Sequence, residues 1–155
     1  MKIGDVVEDF ELPDETGTPR RLSDLLQAGP VVLFFYPAAM TTGCTRESCH
    51  FRDLKAEFET VGAQRVGISA DSVEKQQQFS TKYSFDYPLL SDPERTVADQ
   101  FGVKRNLSIL PNKRATFVID TDRRVLAVIA SELNMRTHAD QALEVLRRRA
   151  GTTRS

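Results

Sequence analysis

Six consecutive apolar residues, Val31-Val32-Leu33-Phe34-Phe35-Tyr36, stop at Pro37, and no other stretch constrains the fold as much. A short run of β-branched and aromatic residues ending at a proline reads as a buried strand. A polar turn follows. Then Phe51, Leu54, Phe58 and Val61 recur at steps of three, four and three, one apolar stripe of a long helix that stops at Gly62. Gly43 and the neighbouring threonines suit the turn, so Cys44 falls at or near the first turn of that helix. Helix N-termini carry unpaired N–H groups and a partial positive charge, which favour a thiolate over a thiol. Cys44 is therefore a candidate nucleophile.

The remaining chain is read around this strand and helix. Phe10 to Leu12 and Thr18 to Leu22 flank the turn Pro13-Asp14-Glu15-Thr16-Gly17, which predicts an N-terminal β-hairpin. Ser23 can cap a brief helix through Leu26, closed by Gly29-Pro30. Arg65 to Ala70 is a second apolar strand, and Asp71 or Ser72 caps a helix through about Tyr83. Tyr87 to Leu90 is a short strand, and Thr96 to Phe101 a short helix stopped by Gly102. Lys104 to Lys113 lacks periodicity and carries Pro111, so it reads as a mobile surface loop. Ala115 to Ile119 and Val125 to Ala130 alternate around Asp120-Thr121-Asp122 as an antiparallel hairpin. Thr137 or Asn134 opens a final helix with Ala142, Val145 and Leu146 on its buried face, and Gly151 to Ser155 is expected to fray. This order predicts an α/β class, a central mixed sheet flanked by helices.

Length and charge exclude several functions. At 155 residues and 40% hydrophobic composition, residues 1–155 are read as a single domain with a real core. A net charge of −1 gives no electrostatic case for nucleic acid or an acidic membrane. Met1-Lys2-Ile3-Gly4-Asp5 lacks the apolar segment of a signal peptide, so the expected location is cytoplasmic. In a reducing compartment, two cysteines five residues apart are catalytic, metal-binding or inert rather than a permanent staple.

Helix geometry separates these options in part. Cys44, Phe51 and Phe58 are spaced by seven and share a buried face. Cys49 lies roughly 140° around and about 7.5 Å along from Cys44. A disulfide wants Cα atoms within about 7 Å and side chains that face each other. An intact helix meets neither condition, so a bond between them requires its first turns to unwind. Two inert buried thiols remain an alternative. Zinc is another, with His50 and His138 joining the cysteines, but the thiols point apart and no second close-spaced ligand pair exists. His50 and His138 otherwise read as surface or packing residues, and Arg147-Arg148-Arg149 as complementing the last helix terminus. No cofactor and no metal are expected.

Pro37-x-x-x-Thr41-x-x-Cys44 resembles the peroxiredoxin active-site motif, and Thr45-x-Glu47-x-Cys49 resembles the PrxQ, or bacterioferritin comigratory protein, subfamily. Similar register runs through Asp9-Phe10, Leu12-Pro13-Asp14, Val66-Gly67-Ile68-Ser69, Pro88-Leu89-Leu90-Ser91-Asp92, Phe101-Gly102-Val103 and Arg114 to Asp120. The resemblance implies a thioredoxin-like fold and a thiol-dependent peroxidase acting on hydrogen peroxide and organic hydroperoxides. It implies that Cys44 is the peroxidatic cysteine and Cys49 the resolving one, joined in an intramolecular disulfide that thioredoxin recycles. Thr41 would bond the peroxide, Arg114 would stabilise thiolate and peroxide oxygens, and Pro37 would shield the pocket. Gly43, Tyr36, Met40 and Glu47 are read as pocket residues. The expected assembly is a monomer or weak dimer.

Two departures stand out. Thr42 replaces the proline usual in the subfamily, and Ala38-Ala39-Met40 replaces its charged residues. The latter predicts a more apolar pocket mouth that accepts organic hydroperoxides at least as well as hydrogen peroxide. A general thiol–disulfide oxidoreductase would want cysteines two residues apart, which are absent. A non-catalytic binding or holdase protein with unreactive thiols is the third reading.

Overall fold

The computed structural model describes residues 1–105 and 112–153. Asp14 makes the first turn. Its carboxylate accepts from the backbone N–H groups of Thr16 and Thr18 and from Arg20 Nε, so β1 (Glu11–Pro13) and β2 (Pro19–Arg21) pair antiparallel. The short α1 (Leu22–Leu25) follows, continued by a single 3-10 turn. Ser23 is not its cap. Asp9 reaches in instead, accepting from the Ser23 N–H at 2.9 Å and the Ser23 hydroxyl at 2.7 Å.

Next come β3 (Val31–Phe35), α2 (Thr42–Asp53), α3 (Lys55–Thr60), β4 (Gln64–Ser69), α4 (Val73–Tyr83) and β5 (Leu89–Ser91). The chain continues through α5 (Thr96–Gln100), β6 (Ala115–Ile119), β7 (Val125–Ala130) and α6 (Thr137–Thr153). The five-stranded sheet has the order β5-β4-β3-β6-β7, with β3 parallel to β4 and antiparallel to β6. This is the mixed thioredoxin-like sheet, with the N-terminal hairpin as a separate two-stranded ribbon.

β3 is buried along its whole length, so alternate residues serve opposite cores. Val32 and Phe34, with Tyr36 beyond the strand end, pack with Cys44, Phe51, Phe58, Phe79 and Leu143 beneath the long helices. Val31, Leu33 and Phe35 pack with Leu22, Leu26, Phe101 and Phe117 on the other face. The apolar run is continuous because both faces of β3 are covered.

The single long helix expected up to Val61 is two helices. Leu54, at φ −93° and ψ 21°, separates α2 from α3. Arg65 gives the break a physical reason: its Nη1 donates to the Phe51 carbonyl at 2.9 Å, which an unbroken helix would offer to the amide four residues on. Register survives the break, since the Phe58 N–H donates to Leu54 O at 3.1 Å and the Phe51 and Phe58 rings stack at 5.8 Å.

Ser72 caps α4 as expected, accepting from the Lys75 N–H. Around the expected loop, Lys104 bridges to Asn112, and the Lys113 N–H donates to Val103 O at 2.8 Å. Residues 106–111, the middle of that loop, lie outside the described residues. The C-terminal stretch expected to fray is helical through Thr153, and residues 154–155 also lie outside them. Of the three arginines near the end, Arg149 donates to Asp120 in the β6–β7 turn and Arg148 to Glu144. Among the described residues, no helix is long and apolar enough to cross a membrane.

Candidate active site

The sheet register decides which residues meet at the end of β3. Phe35 pairs with Ala115, so Arg114 leaves β6 at the level where Tyr36 and Pro37 leave β3. The turn after Pro37 is tied on both sides of Met40. The Ala39 N–H donates to Asp71 Oδ2 at 2.7 Å, and the Thr41 hydroxyl donates to Ala38 O at 2.7 Å. These bonds hold Met40 at φ 71°, a left-handed conformation that costs a side-chain-bearing residue roughly 1–2 kcal/mol. Thr41 occupies the N-cap position of α2, but its hydroxyl serves the Ala38 carbonyl rather than a helix amide. Cys44 is the third residue of α2 and fully buried. In that first turn the amides of Thr42, Gly43 and Cys44 have no carbonyl one turn earlier to bond.

Arg114 joins two elements at one point. Its Nη2 lies 3.2 Å from Cys44 Sγ, and its Nη1 donates to Glu47 Oε1 at 2.8 Å. Glu47, three residues after Cys44 on α2, is on the same helix face and fully buried. Gly43 leaves space for this contact, because a Cβ there would sit 3.2 Å from Arg114 Nη2 and 3.3 Å from Met135 Cε. Burial pushes the Glu47 carboxyl up to about 8; Arg114 opposes that rise and Glu132 adds to it. The guanidinium lies on a sulfur at the start of α2, where the first-turn amides are free of helix partners, a geometry suited to an anionic nucleophile and to charge building on a nearby oxygen.

His138, on α6, ends on the same cluster. It is fully buried, with Nδ1 2.8 Å from Thr116 Oγ1 and Nε2 2.8 Å from the Ser131 carbonyl. Burial lowers its pKa, with Arg114 acting the same way and the Ser131 carbonyl opposing. Its full burial fits the packing reading, but its place beside Glu47 was not expected. The signal was present: His138 lies four residues before Ala142, on the stripe that already marked the buried face of α6. His50 instead faces Asp140 at 2.7 Å. Among the described residues, no three His, Cys, Asp or Glu side chains gather as a metal site.

Cys49 is free and half-buried, turned away from the Cys44 face toward a groove of about 640 Å³ shared with Arg46, His50, Met135 and Arg136. Burial raises its thiol pKa, Arg52 opposing. Pro37 is buried behind the turn. Two residues expected in the pocket stand elsewhere. Tyr36 has no exposed surface, and its hydroxyl donates to Gln76 Oε1 at 2.5 Å inside the core. Met40 is turned toward α4, beside Gln77, Gln78, Thr81 and Lys82, because its left-handed backbone swings it away from Cys44. Ala39 is buried, so the apolar residue next to Gly43 and Arg114 is Met135.

Comparison with known proteins finds relatives along nearly the whole chain. The AhpC/TSA family model matches residues 3–128. A putative peroxiredoxin of Mycobacterium tuberculosis is 68% identical over 149 residues, which are 95% of this chain and 97% of the relative. The crystal structure of peroxidoxin BcpB from that organism superimposes with a TM-score of 0.93 at 67% identity, covering 96% of this chain and 97% of its own. The bacterioferritin comigratory protein of Xanthomonas campestris, described with alkyl peroxide reduction activity, matches with a TM-score of 0.83 at 30% identity, over 94% of this chain and 99% of its own.

The raised Glu47 carboxyl carries a pH signature. The folded state holds a proton that the unfolded chain releases above its ordinary 4.5, so this contribution to stability is full below 4.5 and is lost as pH rises through about 8. The urea midpoint of the reduced protein should therefore fall across that interval more steeply than that of Glu47→Gln. Parallel curves for the two proteins would show that Glu47 is ionised in the folded state.

Proposed function

The chain belongs to the AhpC/TSA family as a peroxiredoxin, a thiol-dependent peroxidase of the Bcp and PrxQ kind, and we propose that Cys44 reduces the peroxide and Cys49 resolves the product. The observation that carries this assignment is the Arg114 guanidinium, shared between the Cys44 sulfur and Glu47 at the start of α2. The thiolate attacks one peroxide oxygen, an S–O bond forms as O–O breaks, and the leaving oxygen departs as water or alcohol once protonated. The Cys49 sulfur then attacks the sulfenic sulfur and expels water, forming the Cys44–Cys49 disulfide. A dithiol of the thioredoxin type returns two electrons.

Magnitudes indicate where the rate arises. An ordinary thiol of pKa about 8.5 is roughly 3% ionised at pH 7, so full ionisation gains only some thirtyfold. Lower basicity returns part of that through weaker nucleophilicity. The larger share falls to donors aimed at the leaving oxygen, Arg114 and the first-turn amides at Gly43 and Cys44, while the Thr41 hydroxyl, its hydrogen given to Ala38 O, is left to accept from the peroxide O–H. Met135, the apolar neighbour of Gly43, supports reduction of organic hydroperoxides alongside hydrogen peroxide. The need for two free thiols suits a cytoplasmic setting.

Resolution requires α2 to unwind from its N-terminus, and the far end is anchored. Arg65 holds the Phe51 carbonyl, and the Phe51 ring stacks on Phe34 at 4.1 Å. The last restraint before Cys49 is the Tyr87 hydroxyl, buried and donating to the Ser48 carbonyl at 2.6 Å. Unwinding through Cys49 breaks that bond.

Peroxide consumption coupled to thioredoxin and its reductase tests the whole cycle, with hydrogen peroxide and a bulky alkyl hydroperoxide both expected to be consumed. Oxidation of thioredoxin without loss of peroxide would sink it. Cys49→Ser should form the Cys44 sulfenic acid at nearly the parent rate yet fail to recycle with thioredoxin; sustained turnover in that variant would remove Cys49 from the cycle. Tyr87→Phe deletes one hydrogen bond worth about 1 kcal/mol, so disulfide formation after the sulfenic acid should run up to about fivefold faster. Rapid-quench mass spectrometry would read this, and an unchanged or slower step would mean that unwinding spares the Tyr87 bond.

A further inference from the structure

His138 lies outside the cysteine motif, yet its two ring nitrogens dictate the proton content of the site. A carbonyl only accepts, so the Nε2 bonded to Ser131 O at 2.8 Å carries a hydrogen. In the neutral ring Nδ1 is then a bare acceptor. It accepts from the Thr116 hydroxyl at 2.8 Å and lies 3.5 Å from Glu47 Oε2. That carboxylate oxygen is buried without a donor, because Arg114 Nη1 serves Oε1. Unless a proton sits on Glu47 or on Nδ1, the buried Oε2 has no donor, since the one Nδ1 lone pair is taken by the Thr116 hydroxyl.

Charge counting leads to the same place. The one cation at the centre of the cluster is Arg114, and Cys44 and Glu47 both border it. With both anionic, the buried cluster carries a net negative charge, and burying an uncompensated charge costs several kcal/mol. Among the described residues no second cationic side chain bonds Cys44 or Glu47, and the partial positive end of α2 offsets the charge only in part. Glu132, in the chain segment after β7, is itself acidic and acts on both Glu47 and His138, and Arg105 is already committed to it at 2.7 Å. Thr116 and Ser131 are neutral. One proton on the Glu47–His138 pair brings the cluster to zero.

We propose that Glu47 and His138 hold one proton between them while Cys44 is a thiolate and give it up when the sulfur is oxidised, so that Arg114 keeps one anionic partner throughout. The inference rests on Cys44 being the peroxide-reducing thiol. In the step, the thiolate sulfur loses two electrons to the O–O bond, S–O forms, and the leaving alkoxide gains the proton that the pair loses. The products are sulfenic acid, alcohol or water, and a Glu47 carboxylate now matched by Arg114. Net proton uptake from solvent is therefore zero. His138 is a positioning residue here: the Ser131 bond fixes the tautomer, so the basic nitrogen always faces Glu47. The upward push on Glu47 and the downward push on His138 agree with the carboxyl as the resting place of that proton.

The test is the proton stoichiometry of sulfenic acid formation. Cys49→Ser protein, at a pH where ultraviolet absorbance shows the Cys44 thiolate, is mixed with one equivalent of hydrogen peroxide and a pH indicator in weak buffer. Uptake near zero is expected. The same protein carrying Glu47→Gln should take up one proton per sulfenic acid, because its leaving oxygen must draw on solvent. One proton taken up in both, or none in both, overturns the inference. Nitrogen NMR of histidine-labelled Cys49→Ser protein gives a second readout that needs no change at Glu47. The His138 Nδ1 resonance should move on oxidation, and an unmoved resonance removes His138 from the mechanism. Failure of the peroxidase assignment looks different, since no sulfenic acid would then be found at Cys44.

Discussion

A single buried guanidinium with two acidic neighbours sets the terms for this site. Arg114 reaches Cys44 from the end of a central strand, so the contact exists only because β3 and β6 lie side by side in one register. Glu47 holds the other end of the fork on the same helix as the cysteine. Removing the guanidinium would strand whichever neighbour is ionised, at a cost of roughly 3–5 kcal/mol for a broken buried pair. That cost also makes the arrangement precise, because a planar fork bonded at two nitrogens has little freedom left.

The same helix has to be rigid at one moment and yielding at another. In the proposed cycle its first turns open to bring the two cysteines together, while its far end stays on the sheet. The structure divides these duties by residue. Thr41, Gly43 and Cys44 sit at the end where the backbone amides are least committed. Phe51 is clamped by ring stacking and by Arg65, which itself pairs with Asp86 through two nitrogens. The break at Leu54 follows from that clamp, since the carbonyl that would carry the helix onward serves the arginine.

Features carried by local periodicity were legible in the sequence. The run from Val31 to Tyr36, the alternation in β7 and the stripe through Phe51 and Phe58 each announce a buried face within a few residues, whereas β6, read as alternating, is buried throughout. The burial of Cys44 followed from its place on that stripe. What escaped depends on partners far along the chain. Asp9 rather than Ser23 supports the first helix from fourteen residues away. Arg65, thirteen residues beyond Arg52, ends α2 where apolar spacing alone continues it. Tyr36 and Met40 were drawn into the pocket by proximity to Cys44 in sequence, but strand alternation sends one into the core and a left-handed turn sends the other outward. His138 was readable from its stripe and was passed over because one histidine on an apolar face carries no motif.

The clamp at Phe51 matters once more after the disulfide is reduced. A peptide that has lost all helical structure must fix several residues before its first hydrogen bond forms, and that initiation is improbable. Here a coiled stub persists at the anchored end, so rewinding is elongation from a template, on the order of nanoseconds per residue. In the proposed cycle the enzyme therefore resets far faster than any reductant can arrive, and its pace is left to encounters with other molecules.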